Sequence, residues 1–102
     1  MNIQELTTAM HQFVDSQHWY DSDSPKPQTL KNLAISLVIE AGEVLEHFQW
    51  NEKTEDQQAL AEELADVALY LLQIASIANI DLEQAIIGKL NKNYARNWNN
   101  KK

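Results

Sequence analysis

Glu40-Ala41-Gly42-Glu43 and Glu63-Leu64-Ala65-Asp66 are two acidic pairs with the same internal spacing. Each lies in a segment that otherwise reads as the apolar stripe of a helix. Residues three apart share one helix face. Two such helices packed side by side would direct four carboxylates at one spot. Crowded carboxylates repel and raise one another's pKa, so the arrangement calls for a compensating cation. A hard divalent ion that prefers oxygen ligands meets that need, and Mg2+ at such a site most often serves phosphate chemistry. A single acidic pair at this spacing is an ordinary solvated helix face, because Glu favours helices and exposed carboxylates are commonplace. Two pairs bordering the cores of adjacent helices are harder to explain that way.

Helix geometry grades the four acids. Each residue advances about 100° around the axis. With Leu37, Ala41 and Val44 at the centre of the core face, Glu40 falls about 60° to one side and Glu43 about 120° to the same side. Ser36 and His47 share that flank. With Val67 central in the later segment, Glu63 lies about 40° from the core direction and Asp66 about 100°, and Tyr70 continues the flank. Glu62 projects nearly opposite the core and reads as solvated, so Glu63 is the expected partner of Asp66. Glu40 and Glu63 border the apolar stripe, where a free carboxylate needs a partner or a metal.

The elements that must carry these residues are helices. The chain has 102 residues, with two Gly and two Pro, and both prolines fall in Asp21-Ser22-Asp23-Ser24-Pro25-Lys26-Pro27, the clearest loop. A first helix is expected from about Asn2 to about His18, with Ile3, Leu6, Met10 and Phe13 on one side. A second is expected from near Thr29 to near Trp50, with Leu30, Leu33, Leu37, Val38, Val44, Leu45 and Phe48 in helical register. A third is expected from about Gln58 to about Ala78, ended by Asn79-Ile80. Asp81 caps a fourth, with Gln84 in capping-box register, which fades near Asn93 to Asn97. No segment alternates with period two over a useful length. The reading is an all-α single domain spanning 1–102, small enough that oligomerisation is a reasonable expectation.

Composition removes several function classes. The formal net charge of −7 argues against nucleic acid as the partner, since phosphate backbones attract Lys and Arg. The absence of Cys removes disulfides, thiolate metal sites and cysteine nucleophiles. Met1 is followed by a polar stretch rather than a secretory signal. The longest apolar stretch, Val67 to Ile80, is broken by Gln73, Ser76 and Asn79 and is too short to span a bilayer. The expectation is a cytoplasmic protein with no membrane partner. A di-iron bundle is a competing metal site, but it requires Glu-x-x-His pairs, and no His lies three residues after a Glu here.

These residues also carry a resemblance. Ile39-Glu40-Ala41-Gly42-Glu43-Val44, then Phe48-Gln49-Trp50, and Glu62-Glu63-Leu64-Ala65-Asp66-Val67 resemble the MazG-like nucleotide pyrophosphohydrolases, in the small single-domain branch that includes the dCTP pyrophosphatases. The likeness runs from about Trp19 to Arg96. It implies a four-helix-type bundle completed by dimerisation, commonly a tetramer built from two dimers. It implies hydrolysis of a nucleoside triphosphate to a monophosphate and pyrophosphate with Mg2+, for which Mn2+ can substitute, in nucleotide-pool house-cleaning. Deoxynucleotides such as dCTP are the expected substrates. Glu40, Glu43, Glu63 and Asp66 match the family's metal-holding acids, and Glu40 or Glu43 would orient the attacking water. Ile39 stands where larger relatives have a further Glu, a departure shared by the single-domain branch. The close, Arg96-Asn97-Trp98, departs from the basic-aromatic-Pro ending of relatives.

The rest of a nucleotide site is sparser. Trp50 is the first candidate for stacking on a base, followed by Trp19 and Tyr70, each of which also suits an ordinary core or subunit interface. Lys89, Asn93 and Arg96 recur at helical spacing and could present a phosphate-binding face, or simply suit the dipole at an exposed helix end. Lys31 resembles a family position near the ligand. His11 and His18 are given no role. A noncatalytic helical interaction module of the same fold is the alternative from another class, and the presence of all four acids argues against it.

Overall fold

The computed structural model describes residues 1–96. Within them the chain is all-helical, with α1 Ile3–Ser16, α2 Leu30–Glu46, α3 Gln57–Ile77 and α4 Leu82–Ala95, and no strand. Side-chain caps set every start. Asn2 and Glu5 form a reciprocal capping box at α1. Thr29 Oγ1 accepts from the Asn32 N–H, Asp56 from Ala59 and Asp81 from Gln84.

Two helices end on left-handed residues that are not glycine. His18 has φ 62° and Asn79 φ 59°. After α1, Trp19 N–H reaches Val14 O at 3.3 Å and His18 N–H reaches Asp15 O at 2.9 Å. After α3, Ile80 N–H reaches Ala75 O at 2.8 Å and Asn79 N–H reaches Ser76 O at 3.1 Å. Both are Schellman pairs of bonds. The first turns Trp19 back onto the core, where it packs beside Met10, Val14 and Leu72. The second sends α4 away from α3 through a bend of 103°.

The second helix is shorter than its periodicity predicts. It stops at Glu46, not near Trp50. His47, Phe48 and Gln49 bond back only three residues, to Val44, Leu45 and Glu46, which tightens the chain into a turn. The His47 side chain is also committed to Thr54 and Glu63, which draws this turn against α3.

α3 is the central element. It packs most extensively along α2, next along α1, and least on α4. The core is small: Met10, Val14, Leu33, Leu72 and Ala75 are its buried apolar residues, and α4 buries none. Large apolar side chains stay exposed on α2 (Ile35, Val38, Ile39 and Leu45) and on α4 (Ile86, Ile87, Leu90 and Tyr94). The accessible surface is 7949 Å² for 11.7 kDa. A compact folded monomer of that mass exposes roughly 5,900 Å². No single helix among the described residues is long and apolar enough to cross a membrane.

Candidate active site

The α2–α3 pairing brings the two acidic pairs to facing flanks. Glu40 lies within electrostatic reach of Glu43, Asp66 and Glu63. Burial holds the Glu40 carboxyl above its ordinary range, and the charges of Glu43, Asp66 and Glu63 push it in the same direction. Glu40, Glu43 and Glu63 are half-buried and Asp66 is exposed. Glu62 is exposed and takes a bond only from Gln58, one turn earlier, as expected of a solvated residue. Among the described residues, no three His, Asp or Glu side chains converge closely enough to hold a metal ion as they stand.

Glu63 has a partner that its spacing did not reveal. His47 Nε2 pairs with Glu63 Oε2, and His47 Nδ1 meets Thr54 Oγ1 at 2.8 Å. A carboxylate only accepts, so the imidazole donates at Nε2 to Glu63. This pairing fixes the rotamer of Glu63 across the helix interface. The signal in the sequence was the position of His47, seven residues after Glu40 and on the same flank.

From Glu40 and Asp66 a groove of about 830 Å³ runs towards the α1–α2 connection. Tyr70 and Ser36 line it near the acids, and Trp19, Lys26, Gln28 and Gln73 line its far end. The Trp19 ring meets the Phe13 ring edge-on, with centroids 5.7 Å apart at 88°. Lys26 Nζ sits 4.9 Å from the Trp19 ring centroid, a cation–π contact. Asn32 Nδ2 donates to Pro27 O at 2.9 Å, tying the proline loop to the start of α2.

Gln73 is the buried polar side chain of the core, 3 % exposed. Its Nε2 donates to Tyr20 Oη at 3.1 Å and to Gln28 Oε1 at 2.8 Å. Tyr20 Oη also meets His11 Nδ1 at 2.5 Å, and His11 Nε2 meets Ser76 Oγ at 2.7 Å. Burial keeps the Tyr20 phenol above its usual range, opposed by the Gln73 bond and reinforced by the charge of Asp15. Period and polarity alone did not single out this network, because Gln73 interrupts an apolar run and looked like a break in it.

The remaining sequence-derived candidates are dispersed. Trp50 is 84 % exposed and borders a separate recess of about 310 Å³ beside His47 and Thr54. Lys31 is exposed in the first turn of α2, while its neighbour Asn32 lines the groove. Lys89, Asn93 and Arg96 lie on or just after α4, outside the groove lining. Asn97 and Trp98 lie outside the described residues.

A family model described as the MazG-like family matches residues 35–102. The chain is 33 % identical to dCTP pyrophosphatase 1 of Mus musculus and 30 % identical to that of Homo sapiens. Both matches cover 92 % of this chain and 58 % of the relative, so the chain spans under two thirds of the length of these relatives. The fold also matches the crystal structure of a pyrophosphatase from Archaeoglobus fulgidus, with a TM-score of 0.70 and 36 % identity. That match covers 88 % of this chain and 86 % of the other. Family match, identity and fold agree: the chain belongs to the MazG-like family.

Proposed function

We propose that this protein is a nucleoside triphosphate pyrophosphohydrolase that converts a deoxynucleoside triphosphate and water to the monophosphate and pyrophosphate. The observation that carries the reading is the Glu40–Asp66 carboxyl pair at one end of a groove whose other end is aromatic and amide-lined. Relatives named dCTP pyrophosphatase and pyrophosphatase support it. A triphosphate laid along the groove would place its phosphates at the acids and its base towards Trp19.

Four carboxylates are the donor chemistry that Mg2+ prefers, and Glu43, Asp66 and Glu63 all lie within electrostatic reach of Glu40. Glu40, Glu43, Glu63 and Asp66 would hold the ion. When bound, it would supply charge neutralisation on the phosphate oxygens. Water attacks the α-phosphorus, the bond from that phosphorus to the α,β-bridging oxygen breaks, and pyrophosphate leaves with the electron pair. Glu40 or Glu43 would orient the water and take its proton. His47 keeps Glu63 in place. Trp19 offers the base a stacking surface once Lys26 moves off its face, which frees that ammonium for an anionic group.

The active form is a homo-oligomer. Ile35, Val38, Gly42 and Leu45 make a stripe on α2 by helical spacing, and its three large side chains are exposed. Nothing lies within 4 Å of where a Gly42 Cβ would be, so a second copy could approach closely. The surface excess over a compact monomer points the same way.

The test is to incubate the protein with Mg2+ and a panel of NTPs and dNTPs and to separate the products by ion exchange. Monophosphate and pyrophosphate support the proposal. Diphosphate and orthophosphate indicate different chemistry, and no turnover on any substrate would leave the noncatalytic helical module.

A further inference from the structure

We propose that Gln73, held in one orientation by Gln28 and Tyr20, is a specificity-determining residue that selects bases bearing an exocyclic amino group, such as cytosine and adenine. The inference rests on reading the groove as a nucleotide site and goes beyond it by naming what the base meets.

Glu63, Asp66, Tyr70 and Gln73 follow at three- and four-residue spacing, so they form one stripe of α3. Gln73 lies two turns beyond Asp66, about 10 Å along the axis. That is roughly the reach from an α-phosphate to the far edge of a base. Asp66, Tyr70 and Gln73 all line the same groove. A nucleotide with its phosphates at Glu40 and Asp66 therefore brings its base edge to Gln73.

The orientation of the Gln73 amide follows from its partners. Gln28 Nε2 donates to the Lys26 carbonyl at 2.7 Å, which turns Gln28 Oε1 towards α3. Gln28 Oε1 accepts only a donor, so Gln73 must present its Nε2, and it does so at 2.8 Å. The second hydrogen on Nε2 goes to Tyr20 Oη at 3.1 Å. A flipped amide would set two carbonyl oxygens against each other. The Gln73 carbonyl oxygen takes part in neither bond, so what the side chain has left for a base is an acceptor. The amino group of cytosine or adenine complements an acceptor. Uracil, thymine and hypoxanthine carry a carbonyl at the same place and leave two acceptors opposed. A polar group desolvated without a partner is the condition under which a site rejects a near-isosteric base.

Holding the 20–28 segment against α3 is a second consequence of the same bonds, and it is indifferent to the base. The two roles separate in one experiment. kcat/KM is measured for dCTP against dUTP and for dATP against dITP, in the wild type, Gln73→Leu and Gln28→Ala, with circular dichroism as the check on folding. Gln28→Ala alters an exposed loop and keeps the test decisive if Gln73→Leu does not fold. The expected result is that the preference for the amino base in either pair falls by about tenfold or more in Gln73→Leu. A smaller fall is expected in Gln28→Ala, where the amide is free to flip. Equal losses on both members of each pair, or unchanged ratios in the folded variants, overturn the inference and leave the hydrolase reading standing. Wild-type protein that turns over no nucleotide overturns both.

Discussion

Glu40 of α2 and Asp66 of α3 set two acidic side chains against each other across the most extensive helix pairing among the described residues. Burial disfavours the charged form of Glu40, and the charges of Glu43, Asp66 and Glu63 add to that cost, so its carboxyl is held above its ordinary range. Either a proton or a cation relieves that crowding.

Stability of the metal-free protein should depend on pH through Glu40. The Glu40 pKa is higher in the folded chain than its ordinary 4.5, so the folded state binds more protons above that value. The stability contributed by protonated Glu40 is complete below about pH 4.5 and is lost as pH rises through the raised pKa. Glu40→Gln removes the charge at nearly constant size. It should raise the Tm of the metal-free protein at neutral pH, with the gain shrinking as the pH falls towards 4.5. A Tm difference independent of pH would show that Glu40 is not the titrating group.

Removing other acids should abolish turnover. Glu43→Gln and Asp66→Asn are expected to lower kcat by at least about a hundredfold with helicity retained, because charge neutralisation at the phosphates is the main catalytic demand. EDTA should abolish wild-type activity, and added Mg2+ should restore it. Near-native rates in both variants would remove these residues from the site.

His47 acts on the site through Glu63. His47→Ala should raise the Mg2+ concentration needed for half-maximal rate by about 10–100-fold, the usual range for a residue that orients a ligand, while KM at saturating Mg2+ changes little. The measurement is a Mg2+ titration at fixed dNTP. An unaltered titration curve would reduce His47 to a packing residue at the end of α2.

Stacking should be visible in binding. Trp19→Ala is expected to weaken nucleotide binding by about 1–3 kcal/mol, the usual worth of a base on an aromatic ring. Calorimetry with a nonhydrolysable α,β-imido dNTP measures this directly. Unchanged affinity in a folded variant would place the base elsewhere.

The exposed stripe of α2 predicts assembly. Val38→Glu with Leu45→Glu puts charges where a second copy would pack, and sedimentation should shift from an oligomer to a single chain, with loss of activity. A wild-type protein that sediments as a monomer would end this proposal.

The helices and the flanks are legible in the residues alone. Apolar spacing located all four helices, Asp81 and the proline loop marked boundaries, and the three-residue spacing put each acidic pair on one side of its helix. Those properties are local, set by 3.6 residues per turn and by side chains that cap the nearest backbone. The end of α2 was misplaced, because the His47 contacts that draw the turn against α3 come from 7 and 16 residues away along the chain.

Tertiary structure alone decided which atoms meet. It set Glu40 against Asp66, gave Glu63 to His47, and brought Trp19 rather than Trp50 to the groove that the acids line. It also turned Gln73 from a break in an apolar run into a member of a hydrogen-bond network, bonded to Tyr20 across 53 residues of sequence. Periodicity reports a direction around one axis. Contact between two axes depends on how deeply the helices interlock and where the connections end, and neither is written in the spacing of a single helix.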